Sequence, residues 1–311
     1  MLLSWQEFTA SGRPQGGTIP EELMDFVTNV SAKDRPALAL FGKRRVQTTF
    51  VEVLEDTLPS RALNAWIEGV AATDLALTTP TRHFHHVQNF ARWGQVSDVQ
   101  RAVEHKGFAD ALMYQEKKAI DATLNDVELA IHRGSSITGA TDAARQFGGL
   151  LNILTTNFTA TSGTTLTENL FGDIIQRFVD GNTEIRPSVV FVNSLLKRTI
   201  SEYSTKTTRF VDAAEKVQYF TVEQHHSDFG DVFIYYSRDQ LNAATKTSQG
   251  NSIVILDPSF FETGWLQPLT SEILARNGLR TQFQISAQLT LLYRTEKAGG
   301  GGTGFVANIS A

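Results

Sequence analysis

Apolar residues recur every three or four positions between Asp98 and Arg133, which is the spacing of one helix face. Gly107 is the weak point of this segment, because glycine inside a helix costs about 1 kcal/mol relative to alanine. The pattern therefore predicts a kink or break at Gly107 and one unbroken helix from Phe108 to Arg133, closed by Gly134. At about 1.5 Å per residue this helix would span roughly 39 Å, enough to cross a whole domain.

Two stretches rich in β-branched and aromatic residues, 46–56 and 81–96, predict two long strands of one hairpin, with 58–80 at its far end. Neither strand alternates cleanly. Phe50 and Leu54 fall on one face, and valines occupy the other. A two-stranded ribbon without an apolar face of its own is marginal in water. We therefore expect the hairpin to lie against something else, and a neighbouring subunit is a candidate.

Helix and strand signals mix in the second half of the chain. Thr165 and Glu168 form a capping box that predicts a helix ending at Gly181, and Asn193 is predicted to cap another helix. The predicted strands are 188–192, 252–256, 281–295 and 305–309, with a hairpin formed by 216–226 and 232–237.

Three segments are predicted to be an arm, a domain boundary and a connector. Residues 1–19 are rich in glycine and indicate an extended arm. Residues 135–158 are small and polar and predict a domain boundary. The glycine run at 299–302 continues to Gly304 and lacks the lysine and hydroxyl residue of a phosphate-binding loop, so it predicts a flexible connector.

Composition limits the class of protein. With 311 residues, of which 41% are hydrophobic, the chain can bury a substantial core as one large domain or two. No apolar run approaches the roughly 20 residues of a membrane helix, and the first residues are not typical of a signal peptide, so we expect neither membrane insertion nor secretion. A net charge of −5 argues against a dedicated nucleic-acid binder. The absence of cysteine excludes disulfides and thiolate catalysis.

Histidines are the main candidates for chemistry. His83, His85 and His86 lie at strand spacing and could bind a metal together with the distant His225 and His226. The alternative is a set of exposed or partly satisfied histidines, and no pattern of acidic partners supports the metal. Nothing resembles a nucleophile elbow or a paired-carboxylate site, so we expect no catalytic residue, no cofactor and no metal. A charged group on the long helix is predicted to be a solvated face with local ion pairs: Glu116, Lys117, Lys118 and Asp121.

Short motifs occur along most of the chain, and each is weak alone. They are Asp34–Gly42, Glu55–Leu58, Glu68–Gly69, His105–Gly107, Tyr114–Gln115, Asp126–Glu128, Val190–Asn193, Arg209–Asp212, Ser227–Gly230, Leu256–Pro258 and Leu289–Lys297. In this order and spacing they resemble the major capsid proteins of tailed double-stranded DNA phages, which have the Hong Kong 97-type fold.

The resemblance implies an α+β fold with five parts. They are an N-terminal arm (1–45), a long hairpin called the E-loop (46–96), the spine helix of a peripheral domain (97–139), an axial domain (140–270) and C-terminal strands that return to the peripheral domain (271–311). The chain departs from the family in having no long N-terminal helical segment, so a separate scaffolding protein, or none, is implied.

The implied function is a structural shell. Copies of the chain would form hexamers and pentamers of an icosahedral phage head, assembled in the host cytoplasm, around double-stranded DNA that is bound without sequence specificity. Implied partners are the chain itself, a portal, a scaffolding protein and a candidate decoration protein, with no membrane. The alternatives are an encapsulin-type cellular compartment and a histidine-dependent metalloenzyme. The candidate subunit-interface residues are Phe50, Leu54, Leu58, Trp66, Ile67, Glu68, Phe84 and Phe90.

Overall fold

The computed structural model describes residues 31–58, 63–69, 79–103, 110–140, 143–181, 185–203, 224–227, 229–241, 250–276 and 278–306. Most of the predicted arm, most of the hairpin strand 216–226 and Gly107 lie outside the described residues. In chain order the elements are α1 (Pro36–Leu40), β1 (Gly42–Arg45), β2 (Phe50–Glu55), β3 (Thr81–His86), β4 (Gln88–Ser97), α2 (Asp98–Ala102), α3 (Ala111–Arg133), α4 (Leu150–Ile153), β5 (Asn157–Thr165), α5 (Glu168–Asp180), β6 (Val189–Val192), α6 (Ser194–Tyr203), β7 (Gln224–Ser227), β8 (Gly230–Tyr236), β9 (Asn251–Leu256), β10 (Phe261–Ile273), β11 (Arg280–Tyr293) and β12 (Gly299–Val306), with 3₁₀ turns at Pro258–Phe260 and Glu296–Ala298.

One sheet has four strands in the order β1-β10-β11-β4. β1 runs parallel to β10, and the other neighbours are antiparallel. The alternation predicted for 281–295 is confirmed in β11, where Phe283, Ile285, Ala287 and Leu289 are buried. These side chains pack with the long helix α3, whose first turn joins Phe283 and Ile285 in one cluster.

The second sheet has six strands in the order β5-β12-β9-β6-β8-β7. Its strand β6 is buried on both faces. Val190 and Val192 face the core formed with α5 and α6, whereas Val189 and Phe191 face the core shared with α1 and α3. Burial on both faces explains why this strand is a continuous apolar run in the sequence.

The helices α5 and α6 are capped by side chains at their first residues. The hydroxyl of Thr167 accepts a hydrogen bond from the backbone N–H of Leu170 at 3.3 Å. The predicted cap at Thr165 is therefore wrong, because that residue still belongs to β5. The cap at Asn193 is confirmed, since its Oδ1 accepts from the backbone N–H of Leu196 at 2.8 Å.

The long helix α3 has 23 residues and spans about 35 Å. An interruption ahead of it is present, and it starts where Val103 adopts an extended conformation after α2. The helix begins later than the predicted Phe108. Asp110 is extended, and its carboxylate accepts from the backbone N–H of Leu112 at 2.8 Å, so this side chain caps the first turn.

Strand β12 overturns the prediction of a flexible glycine connector at 299–302. It lies inside the six-stranded sheet, parallel to β5 and antiparallel to β9. A Cβ on Gly301 would overlap the backbone oxygen of Ile253, and one on Gly304 would overlap that of Thr161. Gly304 also has a φ of 86°. Glycine is used here because neighbouring backbones approach too closely for a side chain.

The segment 135–158, which was predicted as a domain boundary, also contributes side chains to the core. Phe147, Leu150 and Leu154 are buried in the core shared by the two sheets. The backbone N–H of Gly149 donates to the oxygen of Gly134 at 2.8 Å, so the chain crosses itself closely at two glycines just after α3. The small residues therefore serve packing here, while the apolar ones between them anchor the segment.

A two-stranded ribbon, formed by β2 and β3, stands beside the two sheets. The predicted return strand 81–96 is wrong as a single hairpin strand, because it divides at Val87. This residue is fully buried beside Val46 and Leu292, and its backbone N–H donates to the oxygen of Thr49 at 3.0 Å. Beyond it the chain leaves the ribbon and continues as β4 against β11.

The sheets divide the chain differently from the predicted segments. The predicted boundary at residue 270 falls inside β10, which pairs along its length with β11. The C-terminal strands also separate, because β11 belongs to the four-stranded sheet and β12 to the six-stranded one. Within the described ranges no helix is long and apolar enough to span a membrane.

Candidate assembly surface

The ribbon has an outer face that exposes apolar side chains. Phe50, Leu54 and Phe84 are 42%, 63% and 52% exposed. The rings of Phe50 and Phe84 stack across the two strands with centroids 5.3 Å apart. Val51 and Val53 point the other way and are half-buried, as the sequence predicted. An exposed aromatic pair on a narrow ribbon is typical of a surface that contacts another protein.

The inner face of the ribbon is fixed to the C-terminal part of the chain by an ionic and aromatic cluster, which we call the ribbon anchor (Glu55, His83, His85, Tyr293 and Lys297). Nε2 of His83 lies 2.7 Å from Oε2 of Glu55, and Nζ of Lys297 lies 3.4 Å from Oε1 of Glu55. The rings of His83 and His85 lie 5.2 and 4.6 Å from that of Tyr293. The anchor holds the ribbon against the molecule while leaving its outer face open.

His85 is the buried member of the ribbon anchor, at 4% exposure. Its Nε2 has no hydrogen-bond partner among the described residues. Burial, and then the neighbouring charge of His83, lower the pKa of His85 to about 4. This imidazole is therefore neutral at pH 7, and it serves the anchor as a packed ring.

The described part of the ribbon tip, residues 56–58, 63–69 and 79–80, is exposed and carries several large apolar side chains. Leu58, Trp66 and Ile67 are 92%, 66% and 81% exposed, and Glu68 beside them is also exposed. The indole N–H of Trp66 donates to Oδ1 of Asn64 at 2.5 Å, which orients the ring on the tip itself. Large side chains in this state are anchors that a partner surface could bury.

A second feature lies where the chain leaves the arm and reaches α3. The segment at residues 33–38 binds a polar stripe on the helix, formed by Asp121, Asn125, Glu128 and His132. Arg35 donates to Oδ1 of Asn125 at 2.8 Å and to the backbone oxygen of Asp121 at 2.9 Å. Nζ of Lys33 lies 2.6 Å from Asp121, and this hydrogen bond is the main reason that the pKa of Asp121 is lowered. The predicted local pairing of Asp121 is therefore wrong, because its partners come from the arm.

The polar stripe continues into the buried part of the molecule. The carboxylate of Glu128 accepts from the backbone N–H groups of Ala37 and Leu38 at 2.9 Å each, and lies 3.2 Å from Nε2 of His132. Both Glu128 and His132 are 0% exposed. A buried carboxylate with three donors is satisfied, so the stripe binds α1 to α3 through direct hydrogen bonds.

The same network reaches the six-stranded sheet. Nε2 of Gln240 donates to Nδ1 of His132 at 3.0 Å, and the hydroxyl of Ser252 donates to Oε1 of Gln240 at 2.7 Å. Because His132 accepts at Nδ1, its hydrogen lies on Nε2, facing Glu128 and the hydroxyl of Ser237 at 3.0 Å. The stripe thus connects the arm, the long helix and the second sheet. The spacing of four, three and four along α3 was the only signal of it in the sequence.

The histidines that the sequence offered as candidate metal ligands do not come together. His83, His85 and His86 lie on the ribbon, whereas His225 and His226 lie on β7 in the six-stranded sheet. Each group has its own protein contacts. For example, His226 lies 2.6 Å from Asp231 and the ring of His225 packs edge-on against Phe171. Among the described residues, no cluster of three or more histidine, aspartate or glutamate side chains could hold a metal ion.

Comparison with known proteins gives this surface its context. The sequence profile of the SU10 major capsid protein matches residues 5–305, nearly the whole chain. The chain belongs to this family. No curated protein matches it.

Solved structures, several of them described as capsids, share the fold of this SU10-family protein. The capsid of a native GTA particle aligns with a TM-score of 0.63 at 13% identity, covering 94% of this chain and 97% of that one. The chain from Gordonia phage Cozz aligns with a TM-score of 0.61 at 12% identity, covering 98% and 99%. A structure of phage G major capsid and decoration proteins aligns with a TM-score of 0.61 at 11% identity, covering 96% and 99%. The predicted Hong Kong 97-type fold is confirmed.

The structure separates the predicted interface residues of this SU10-family protein into two groups. Phe90 is excluded as an exposed contact, because it is only 8% exposed and its ring lies 6.2 Å from that of Phe147 in the subunit core. It falls after the break at Val87, where the strand already belongs to the four-stranded sheet. The remaining candidates are all exposed and lie on the ribbon or its tip: Phe50, Leu54, Leu58, Trp66, Ile67, Glu68 and Phe84.

Proposed function

We propose that this capsid protein forms the hexamers and pentamers of an icosahedral phage head that encloses double-stranded DNA. The carrying observation is the family match over residues 5–305. The exposed apolar ribbon supports it, because such a surface on an isolated subunit is a liability and on an assembled one is an interface. Modest contacts repeated around closed rings and shells add up to a stable container.

The ribbon and its tip act as the E-loop in this proposal. They lie over an adjacent subunit, whose surface buries the tip side chains Trp66 and Ile67 and the outer-face aromatics. The four-stranded sheet with α3 serves as the peripheral domain, and most of the six-stranded sheet as the axial domain. Support comes from the exposure of the tip and from the firm attachment of the ribbon by Glu55, His83 and Lys297.

The role is structural and not enzymatic. The partners are further copies of the chain, a portal, a separate scaffolding protein and a candidate decoration protein, with assembly in the host cytoplasm and residence in the virion. The net charge of −5 suits a wall that does not grip the packaged DNA. Neither the family match nor the described residues favour the encapsulin-type compartment or the metalloenzyme.

The test is to replace residues 58–79 by a short Gly-Ser turn. The anchor and both sheets remain, so circular dichroism should show a folded, soluble chain. Sedimentation should show no shells, while wild type and an exposed surface variant, Arg198→Ala, form them. Particles of normal size from the shortened chain would make the tip dispensable. An unfolded chain would instead place the tip in the subunit's own core.

A further inference from the structure

We propose that a cavity at the root of the ribbon receives the ribbon tip of a second copy of this chain. The inference rests on the proposed function, because it names the surface that the E-loop of a neighbour would contact. The cavity has a volume of about 330 Å³ and lies where β1 turns into β2, beside the ends of β10 and β11. We call it the root cavity.

The root cavity combines an apolar floor with a cationic rim. Val51 and Leu292 contribute to the floor, and Arg44, Arg45 and Arg294 stand around it. A pocket of this size can accept an indole side chain. Arginine beside an aromatic ring adds a cation–π attraction that a purely apolar groove lacks.

The rim carries a surplus of positive charge. Arg294 and Arg44 share one carboxylate, that of Glu262, at 2.8 and 3.8 Å. The other acidic residue of the cavity, Glu52, lies 3.3 Å from Arg82 on the ribbon. Arg45 makes no ion pair or side-chain hydrogen bond with any residue that the structure describes. An acidic group from a partner would therefore meet an unpaired guanidinium.

The ribbon tip has the matching chemistry. Trp66 and Ile67 are exposed apolar side chains, and Glu68 follows them directly in the sequence. The tip of the same chain does not fill the cavity, because Trp66 is 66% exposed. A tip from a second copy is therefore the occupant. A tip bound in the root cavity of another copy joins two different surfaces of identical subunits, which is a heterologous contact. Repetition of such a contact around a symmetry axis can close a ring.

A nucleic-acid phosphate fits this cavity less well than an acidic peptide. The carboxylates of Glu52 and Glu262 lie in the same cavity and would repel the successive phosphates of a nucleic-acid backbone more than the single carboxylate of Glu68. The apolar floor would also be left without a partner, whereas Trp66 and Ile67 would cover it. Binding of DNA at these arginines is the alternative that the experiment must separate.

Charge reversal tests the contact in the full-length chain. Arg45→Glu and Glu68→Arg should each lower the yield of sedimenting shells by about tenfold or more, since they place like charges together. The double variant should restore most of the yield. Asp173→Arg, an exposed change on α5, is the control: alone it should be neutral, and combined with Arg45→Glu it should not rescue.

Engineered disulfides give a second readout, which is clean because the chain has no cysteine. Oxidation of a variant with both Gln47→Cys and Glu68→Cys should produce a covalent ladder that ends at five and six subunits. Each single variant should give at most dimers. Bands that stay monomeric in assembled shells would show that positions 47 and 68 of neighbouring copies do not meet, and would overturn the proposal.

The remaining outcomes are also decisive. Normal shells from folded Arg45→Glu, or no rescue by the folded double variant, would show that the tip docks elsewhere. Normal shell yield with less packaged DNA would assign the cavity to nucleic acid. In both cases wild-type shells still form, so the proposed function stands. Absence of shells from wild type under all conditions would count against the proposed function itself.

Discussion

Oε1 of Glu128 accepts a hydrogen bond from the backbone N–H of Ala37 at 2.9 Å, and both residues are 0% exposed. Through this bond the C-terminal part of the long helix caps the first turn of α1. The start of α1 is therefore held in place, because a buried carboxylate is stable only where its hydrogen-bond donors stay in place.

Replacing Glu128 by alanine should cost about 3 to 5 kcal/mol of unfolding free energy, because two buried backbone N–H groups and His132 lose their acceptor. Chemical denaturation of the unassembled subunit measures it. The matched control is Asp126→Ala on the same helix. Asp126 lies 2.5 Å from Arg92, but its side chain is 49% exposed, so its loss should cost about 1 kcal/mol or less. Equal costs for the two variants would show that the buried stripe does not bind the arm.

Local sequence patterns predicted those helices and strands whose conformation is determined by residues close to one another in the chain. The apolar period marked α3, the alternation marked β11, and Asn193 marked the start of α6. Each depends on neighbours within a few residues. The two faces of β2 were also predicted, because a strand turns alternate side chains to opposite sides whatever its partner is.

Elements determined by distant partners could not be predicted in this way. The glycines of β12 allow the backbones of Ile253 and Thr161 to approach closely. The glycine run itself contains no signal that predicts these two distant neighbours. The break at Val87 follows from burial beside Leu292, about two hundred positions away. The polar stripe was visible as a spacing on α3, but its partners Ala37 and Gln240 come from both sides of the chain.

Gly304→Ala should destabilise the subunit by more than about 2 kcal/mol, since it adds a Cβ at a φ of 86° against the backbone of Thr161. Gly172→Ala is the control of the same chemistry. Its Cβ would meet nothing within 4 Å, and it lies inside α5, so this change should stabilise by up to about 1 kcal/mol. Thermal unfolding of the two variants should move in opposite directions. If Gly304→Ala were as stable as wild type, β12 would not be held inside the sheet.

Acid should weaken the ribbon anchor. The pKa of His85 falls from 6.5 to about 4 on folding, so the unfolded chain binds a proton that the folded chain refuses between these values. This difference leaves stability unaffected above about pH 6.5 and lowers it progressively as the pH falls to about 4, by about 3 kcal/mol in all. Urea unfolding of the subunit at stepped pH measures it.

The variant His85→Phe isolates this effect, because it keeps a ring beside Tyr293 and removes the titration. Its stability should fall less steeply between pH 6.5 and 4 than that of wild type. His226→Phe, at a 74% exposed side chain, should leave the wild-type slope. If His85→Phe and wild type lost stability in parallel, the buried imidazole would not be the acid-sensitive group.

Alanine substitutions at Phe84 and Phe90 should distinguish an effect on assembly from an effect on folding. Phe84→Ala removes a 52% exposed ring that stacks on Phe50 at the outer face of the ribbon, so unfolding free energy should change by about 1 kcal/mol or less. Phe90→Ala empties a site in the core beside Phe147 and should cost about 3 to 5 kcal/mol. Denaturation of unassembled subunits gives both values.

Shell formation should be impaired more by Phe84→Ala than by Phe90→Ala, which is the reverse of the order expected for subunit stability. An aromatic anchor that a neighbour buries is worth about 2 kcal/mol or more per contact, and each shell repeats the contact many times. Phe84→Ala should therefore raise the protein concentration needed for shells by about tenfold or more, although its subunit stays folded. Phe90→Ala subunits that remain folded at low temperature should assemble at the wild-type concentration, because this ring is packed inside the subunit's own core. Assembly that is normal in Phe84→Ala would mean that the outer face of the ribbon stays open to solvent in the shell, and the contact with the neighbour would then have to come from the tip alone.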